Sequence, residues 1–388
     1  MIKLNQKQDC SGCHVCANVC PVNCITMIED KEGFLYPKVD IIKCINCGLC
    51  EKACPIINKR ERVNDTVAYA CINKNENIRS ESSSGGVFSL LAERVVNKGG
   101  VVFGAGFDDG FNLEHSYTDT IEGISKFRGS KYLQSKIGDT YMQAKECLEK
   151  GTKVLFSGTP CQISGLLSYL GREYDNLICV DIICHGVPSP KVFKMYRNEL
   201  EKTHGATTRR IAFRRKDCGW KLYSVSVLFN NDTEYRKNLT RDVFMRGFLQ
   251  NLYLRPSCYA CKSKSLNRLS DITIADFWGI ENIAPELNDD KGTSLVLVND
   301  NKGKKIFQQL QDKMIVGQVD CAEAIKYNPS AIESVPYNPN RDRFFENLDS
   351  HSDHISKLII KYTKINFMKR VYGKMRVILS KLNRNILR

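Results

Sequence analysis

The chain has 388 residues, 42% of them hydrophobic, and no apolar run of about 18, so it suits roughly two or three folded domains and carries no transmembrane helix. Its N-terminus, Met1–Gln8, lacks the apolar stretch of a secretory signal, so the 18 cysteines are expected in the cytoplasm, where they argue for metal or redox chemistry over disulfides. Of the net charge of +14, +9 falls in residues 352–388, leaving an ordinary +5 for the rest.

In chain order, residues 1–58 are dense in cysteine. Residues 59–66 are charged and read as a linker. From Val67, apolar strands alternate with amphipathic helices. Helices are expected at Val87–Asn97, Asp139–Lys150 and Pro190–Thr203, and buried strands at Val101–Phe107, Val154–Phe156 and Leu177–Cys184. Strands return at Tyr223–Phe229, Ile272–Phe277 and Ser294–Asn299. The fold class is α+β/α/β: a ferredoxin-like module at 1–58, a mixed-sheet α/β domain over 67–335, and a helical tail over 345–388. In the tail, apolar residues from Ile355 to Ile386 recur at three- and four-residue steps, with Lys and Arg over much of the opposite surface. Two readings of it stand: a helix packed on the large domain, or a tail lying on an anionic membrane surface at the inner membrane face or on a partner's acidic face. No nucleic-acid motif accompanies the charge, so nucleic acid is not an expected partner.

The N-terminal segment contains a repeat. Cys10, Cys13, Cys16 and Cys20-Pro21 share their spacing with Cys44, Cys47, Cys50 and Cys54-Pro55. Three thiolates two residues apart let one loop hold three corners of a cubane, and the Cys before Pro ligates the other cluster. The expected sets are Cys10, Cys13, Cys16, Cys54 and Cys44, Cys47, Cys50, Cys20, each with a [4Fe–4S] cluster. The pattern resembles bacterial two-cluster ferredoxins. Zinc usually takes paired Cys-x-x-Cys units instead. Gly12 and Gly48 are read as permitting close backbone approach to the sulfurs. Cys24 lies outside the pattern and reads as a small buried side chain.

Four later segments stand out. Ser82-Ser83-Ser84-Gly85-Gly86 enters a helix and offers N–H groups to an anion, though such a loop is often only a cap. Ser157-Gly158-Thr159-Pro160-Cys161-Gln162 and Cys184-His185-Gly186-Val187-Pro188-Ser189 each follow a buried strand, where open α/β sheets bind ligands. Cys258-x-x-Cys261 precedes Asp276-Phe277-Trp278-Gly279. Together, in this order, they resemble the family of the coenzyme F-420 hydrogenase/dehydrogenase beta subunit, which includes reductases such as divinyl-chlorophyllide reductase.

The resemblance implies a non-covalent FAD and a third [4Fe–4S] cluster on Cys161, Cys184, Cys258 and Cys261. The other reading of Cys161 and Cys184 is as small buried residues. It also implies flavin contacts from Ser83, Ser84, Gly85, Gly86, Lys131, Tyr132, Gln134, Ser135, Gly158, Thr159, Pro160 and Gln162. His185 is the candidate proton donor by position, and a structural role in its Gly/Pro turn is the alternative. Arg214, Arg215 and Lys216 either face an anion or form a solvated run. The function expected is an iron–sulfur flavin-dependent reductase. Electrons come from a soluble ferredoxin, another low-potential donor or reduced coenzyme F-420, and go to an organic substrate. The alternative is a relay subunit of a hydrogenase or dehydrogenase complex.

Overall fold

The computed structural model describes residues 1–351 and 354–363. The cysteine-rich module is built on a hairpin of β1 (Ile25–Glu29) and β2 (Leu35–Val39), with Ile25 opposite Val39. Asp30 Oδ1 closes its turn by accepting from the Glu32 and Phe34 N–H groups, both at 3.0 Å. Two one-turn helices, Val15–Asn18 and Leu49–Lys52, carry the third cysteine of each triplet.

The large domain contributes β3 (Val67–Asn73), β4 (Val101–Phe107), β5 (Leu113–Thr118), β6 (Val154–Gly158) and β7 (Leu177–Ile182). Further on come β8 (Thr208–Arg215), β9 (Ser224–Phe229), β10 (Glu234–Asn238), β11 (Ile272–Asp276), β12 (Ser294–Val298) and β13 (Met314–Val319). Eight strands form one sheet in the order β13-β3-β12-β11-β7-β6-β4-β5. Its centre, β4, β6, β7 and β11, is parallel, and its flanks are antiparallel. The C-terminal ends of β6 and β7 therefore open on one edge, side by side.

The central strands bury both faces. Val102, Leu155 and Val180 pack against the Val87–Val96 helix, while Phe103, Phe156 and Cys179 pack against Thr140–Glu149 and Pro160–Leu170. A second sheet, β10-β9-β8, joins the Pro190–His204 helix in a separate aromatic core. Phe34 and Tyr36 of the N-terminal hairpin are buried in that same core.

The structure moves some expected boundaries. The strand expected over Leu177–Cys184 stops at Ile182, with the Ile183 N–H making a last bond to Ile274 O before Cys184 leaves the sheet. The Tyr223–Phe229 strand belongs to the smaller sheet. The expected linker is tied down: Arg60 donates to Leu167 O, Asn64 to Arg268 O, and Arg62 pairs with Asp300. Ile355, Leu358 and Ile359 of the Ile355–Tyr362 helix are buried in the aromatic core, as the packed reading of the tail requires. The stripe from Ile365 to Ile386 lies outside the described residues. Among the described residues, no helix is long and apolar enough to cross a membrane.

Candidate iron–sulfur sites

Thr159 caps the Pro160–Leu170 helix at the end of β6, in a box where Gln162 answers back to its N–H. That turn puts Cys161 at the sheet edge beside Cys184, which follows β7. Cys258 and Cys261 reach the same place from the Pro256–Ala260 turn. All four line one partly open cavity of about 600 Å³, with His185, Val187, Lys264 and, from the N-terminal module, Gln8, Ser11 and Ile56. Burial pushes the Cys161, Cys184 and Cys258 thiols up, the last two to about 12, and the neighbouring cysteines of this set raise each further. The Val187 N–H donates to Cys258 Sγ at 3.4 Å. Lys264 donates to Cys184 O and to Ser330 O. Four soft donors from three segments around one cavity suit a cluster, whose corners are separate irons. Among the described residues, no three His, Cys, Asp or Glu side chains close up tightly enough for a single metal ion.

In the N-terminal module, burial lifts Cys13 to about 12 and raises Cys16, and the charges next in effect include Cys10 and Cys54 on both. This is the first of the two expected sets. The second set, Cys20, Cys44, Cys47 and Cys50, lines its own cavity of about 330 Å³. Cys24 is buried, as its reading as a small buried side chain expected, and it lines that cavity too. Its sulfur lies 3.4 Å from Cys20 Sγ, and its N–H donates to that sulfur at 3.3 Å. Gly12 and Gly48 occupy different places in the repeat. The left-handed residues are Gly12 and His14 in one loop, and Asn46 and Gly48 in the other. The first loop adjoins the large domain directly: a Cβ on Gly165 would stand 3.3 Å from Cys13 Sγ.

Most groups assigned to a flavin are already engaged with the protein. The Gly85 N–H donates to Ser294 Oγ, and a Cβ there would strike Cys71 O at 2.3 Å, so strand packing alone requires this glycine. Ser84 Oγ donates to Thr293 O, and Ser83 Oγ accepts from the Ser130 N–H. Gly86 starts its helix with φ +84°. Gln162 Nε2 bonds Ser135 Oγ, and Gln134 Nε2 reaches Ser11 O at 3.3 Å, so these three serve the cap and the N-terminal module. A Cβ on Gly158 would sit 3.1 Å from Gln162 Oε1, and Pro160 lines the cysteine cavity. Half-buried Lys131 keeps only the Arg128 and Gly129 carbonyls, and burial lowers it to about 7. Tyr132 stacks on Phe248.

The basic run is not solvated throughout. Arg214 is buried and bidentate to Asp276, Lys216 donates to three carbonyls, and only Arg215 is exposed. His185 faces the cysteine cavity with Nε2 2.7 Å from Asn251 Oδ1. Sequence reasoning missed Arg255. It lies in an ordinary loop, three residues before Cys258, and only its position there hinted at a role.

The fold and its cysteine cavities define an iron–sulfur protein of the electron-transferring, oxidoreductase kind. Residues 9–56 match the model of the 4Fe-4S dicluster domain, and residues 151–322 match that of the C terminus of the coenzyme F420 hydrogenase/dehydrogenase beta subunit. The chain thus joins these two family domains, as its motifs suggested. A subunit of the F(420)H(2) dehydrogenase of Methanosarcina mazei is 23% identical over 329 residues, 80% of this chain and 84% of that protein. A subunit of the NADH-quinone oxidoreductase of Geobacter metallireducens is 40% identical over 57 residues, 13% of this chain and 44% of its own. Among solved structures, a chain of the F420-reducing [NiFe] hydrogenase complex from Methanosarcina barkeri is 16% identical, with a TM-score of 0.44, over 78% of this chain and 92% of its own.

Proposed function

We propose that the chain is a three-cluster electron relay. Two [4Fe–4S] clusters sit on the ferredoxin-type sets, and a third on Cys161, Cys184, Cys258 and Cys261. The observation that carries this reading is the convergence of those last four cysteines on one cavity, against the Cys13 side of the N-terminal module. Bound clusters supply one-electron storage. The protein's part is order and insulation. The Cys47 loop is exposed, the Cys13 loop is buried, and the third set lines a partly open cavity at the sheet edge, so the buried first set lies between two sites that reach the surface. Exposed Ile41, Ile42 and Ile45 frame the outer loop as the entry point for a ferredoxin or another low-potential donor. Coenzyme F420, a hydride donor, is suggested only by the family and the Methanosarcina relative, and its use would require a flavin to pass single electrons to the clusters.

A relay subunit within a larger hydrogenase- or dehydrogenase-type assembly is the reading we favour over a self-contained reductase. Supporting it are the engaged Ser84, Gly85, Gln134, Ser135 and Gln162, which leave few free groups for a dinucleotide. Should FAD bind, half-buried Lys131, held by two backbone carbonyls, is the assigned side chain most able to turn to it, and the flavin would convert single electrons to hydride chemistry on an organic substrate. His185 would then be the group placed to hold a proton beside the inner site. Anaerobic iron analysis with electron paramagnetic resonance tests the relay. About twelve irons per chain are expected, falling to about eight in Cys184→Ala. About eight in the unmodified protein, or an unchanged count in the variant, removes the inner cluster. Flavin released on heating, at about one per chain, would restore the reductase.

A further inference from the structure

Five arginines are buried among the described residues: Arg79, Arg214, Arg255, Arg268 and Arg341. Four have a carboxylate: Asp289, Asp276, Asp181 and Glu32 respectively. Arg255, with no exposed surface at all, has none. Its guanidinium donates instead to Cys10 O at 2.8 Å, Gln134 Oε1 at 2.8 Å and Leu35 O at 3.0 Å, and it lies over the rings of Tyr36 and Phe34. Carbonyls and rings solvate a cation without neutralising it. An ion buried this way is retained where another negative charge compensates it.

The position of Arg255 names that charge. Its guanidinium rests on the first cluster loop: a Cβ on Gly12 would come within 2.9 Å of the Arg255 Cζ. Its backbone belongs to the inner site. The Arg255 N–H donates to Val187 O, and Arg255 O accepts from the Cys258 N–H, both residues lining the four-cysteine cavity. A single side chain thus spans the wall between the two cysteine sets.

We propose that Arg255 is the shared counter-ion of the first N-terminal cluster and the inner cluster, holding both reduction potentials up and so easing the reduction of each. The inference rests on the three-cluster reading. A four-thiolate cluster is net negative and gains a further charge on reduction, so a nearby fixed cation favours the reduced state. Gln134 acts as the positioning residue, its Oε1 fixing the fork and its Nε2 tying the same loop through Ser11 O.

The test is a redox titration of the anaerobic full-length protein, followed by electron paramagnetic resonance. Signals are assigned by the losses in Cys184→Ala and Cys47→Ala. In Arg255→Met, the first and inner clusters should shift to more negative potential by on the order of 59 mV, a tenfold change in the reduction equilibrium for one electron. The outer cluster, held by the Cys47 loop, should not move. Gln134→Glu sets a carboxylate against the retained guanidinium and should shift the same two signals downward, which covers the case in which Arg255→Met fails to fold. Arg255→Lys, which keeps the charge, should stay near the unmodified values. Unmoved potentials in Gln134→Glu, or an equal shift of all three clusters, overturn the counter-ion role. An unmodified protein with only two cluster signals overturns the three-cluster reading itself, and the bridge with it.

Discussion

The two cysteine triplets share one spacing, yet the fold uses them in opposite ways. Cys13 and Cys16 are 7% and 8% exposed, and Val15 between them is buried against the Pro160–Leu170 side of the large domain. In the second triplet Cys47 is exposed, and Ile45 and the nearby Ile42 are 61% and 98% exposed. Spacing dictates how a loop wraps a cluster. The side chains between the cysteines decide whether that loop faces protein or water. The first loop therefore has partners to lose and the second has almost none.

The sharpest way to break this contrast is at the two glycines. Gly12 has φ +68° and a Cβ there would stand 2.4 Å from Gln134 Nε2 and 2.9 Å from the Arg255 guanidinium. Gly12→Ala combines left-handed strain of roughly 1–2 kcal/mol with displacement of a buried Arg and its hydrogen bonds. The total destabilisation should be about 3 kcal/mol or more. Gly48 has φ +74° and open space around a Cβ. Gly48→Ala should therefore cost only the strain, about 1 kcal/mol. Denaturant titration of both variants under anaerobic conditions reads the difference, and equal losses would mean that the first loop is not docked as described.

The buried side should also carry acid sensitivity. His115 stacks on Phe156 below the first loop's docking face, with Nε2 3.0 Å from Ser157 O and Nδ1 buried without a partner. If Nε2–H donates to that carbonyl, a second proton would sit on a buried nitrogen with no acceptor. Burial accordingly lowers the group to about 4. The unfolded chain takes up the proton near the ordinary histidine value of about 6.5, while the folded chain resists it to about 4, so stability is full above that window and falls as pH drops through it. Between pH 7 and pH 5 the loss attributable to this residue should be about 2 kcal/mol. His115→Phe should remove that part of the slope, measured as the difference between variant and parent at each pH so that cluster loss common to both cancels.

How much of this could be read from the residues alone follows the same division. The cysteine triplets were legible because each is covalently local, while the crossed fourth members, Cys54 and Cys20, came from the likeness to two-cluster ferredoxins. The α/β alternation was legible from apolar runs such as Val154–Phe156 and Leu177–Cys184. The gathering of Cys161 and Cys184 with Cys258 and Cys261 came from family likeness, since they span about a hundred residues and only the parallel pairing of β6 with β7 brings the first two together. The flavin assignments came from the same family likeness and stay a proposal. Ser84, Gly85 and Gln134 carry a motif's residue types, but their hydrogen bonds go to Thr293, Ser294 and Ser11, choices made by tertiary contacts that no local pattern encodes. Arg255 was illegible for the same reason, since an arginine in a loop is ordinarily solvated.

The smallest effect on stability belongs to the outer loop. Ile42 touches little, so Ile42→Asp removes almost no buried apolar area and should leave the denaturation midpoint within about 0.5 kcal/mol of the parent. Its position is what gives it consequence. Ile41, Ile42 and Ile45 form an apolar rim beside exposed Cys47, and exposed Lys43 and Lys52 flank it. An acidic protein donor would meet apolar contact at the centre and opposite charge at the edge. Reduction by a two-cluster ferredoxin should therefore slow in Ile42→Asp, and reduction by dithionite, which needs no docking, should not. A parallel loss with both reductants would point to damage at the cluster itself. An unchanged rate with ferredoxin would move the point of electron entry away from this loop, leaving the exposure of the second triplet without the function assigned to it here.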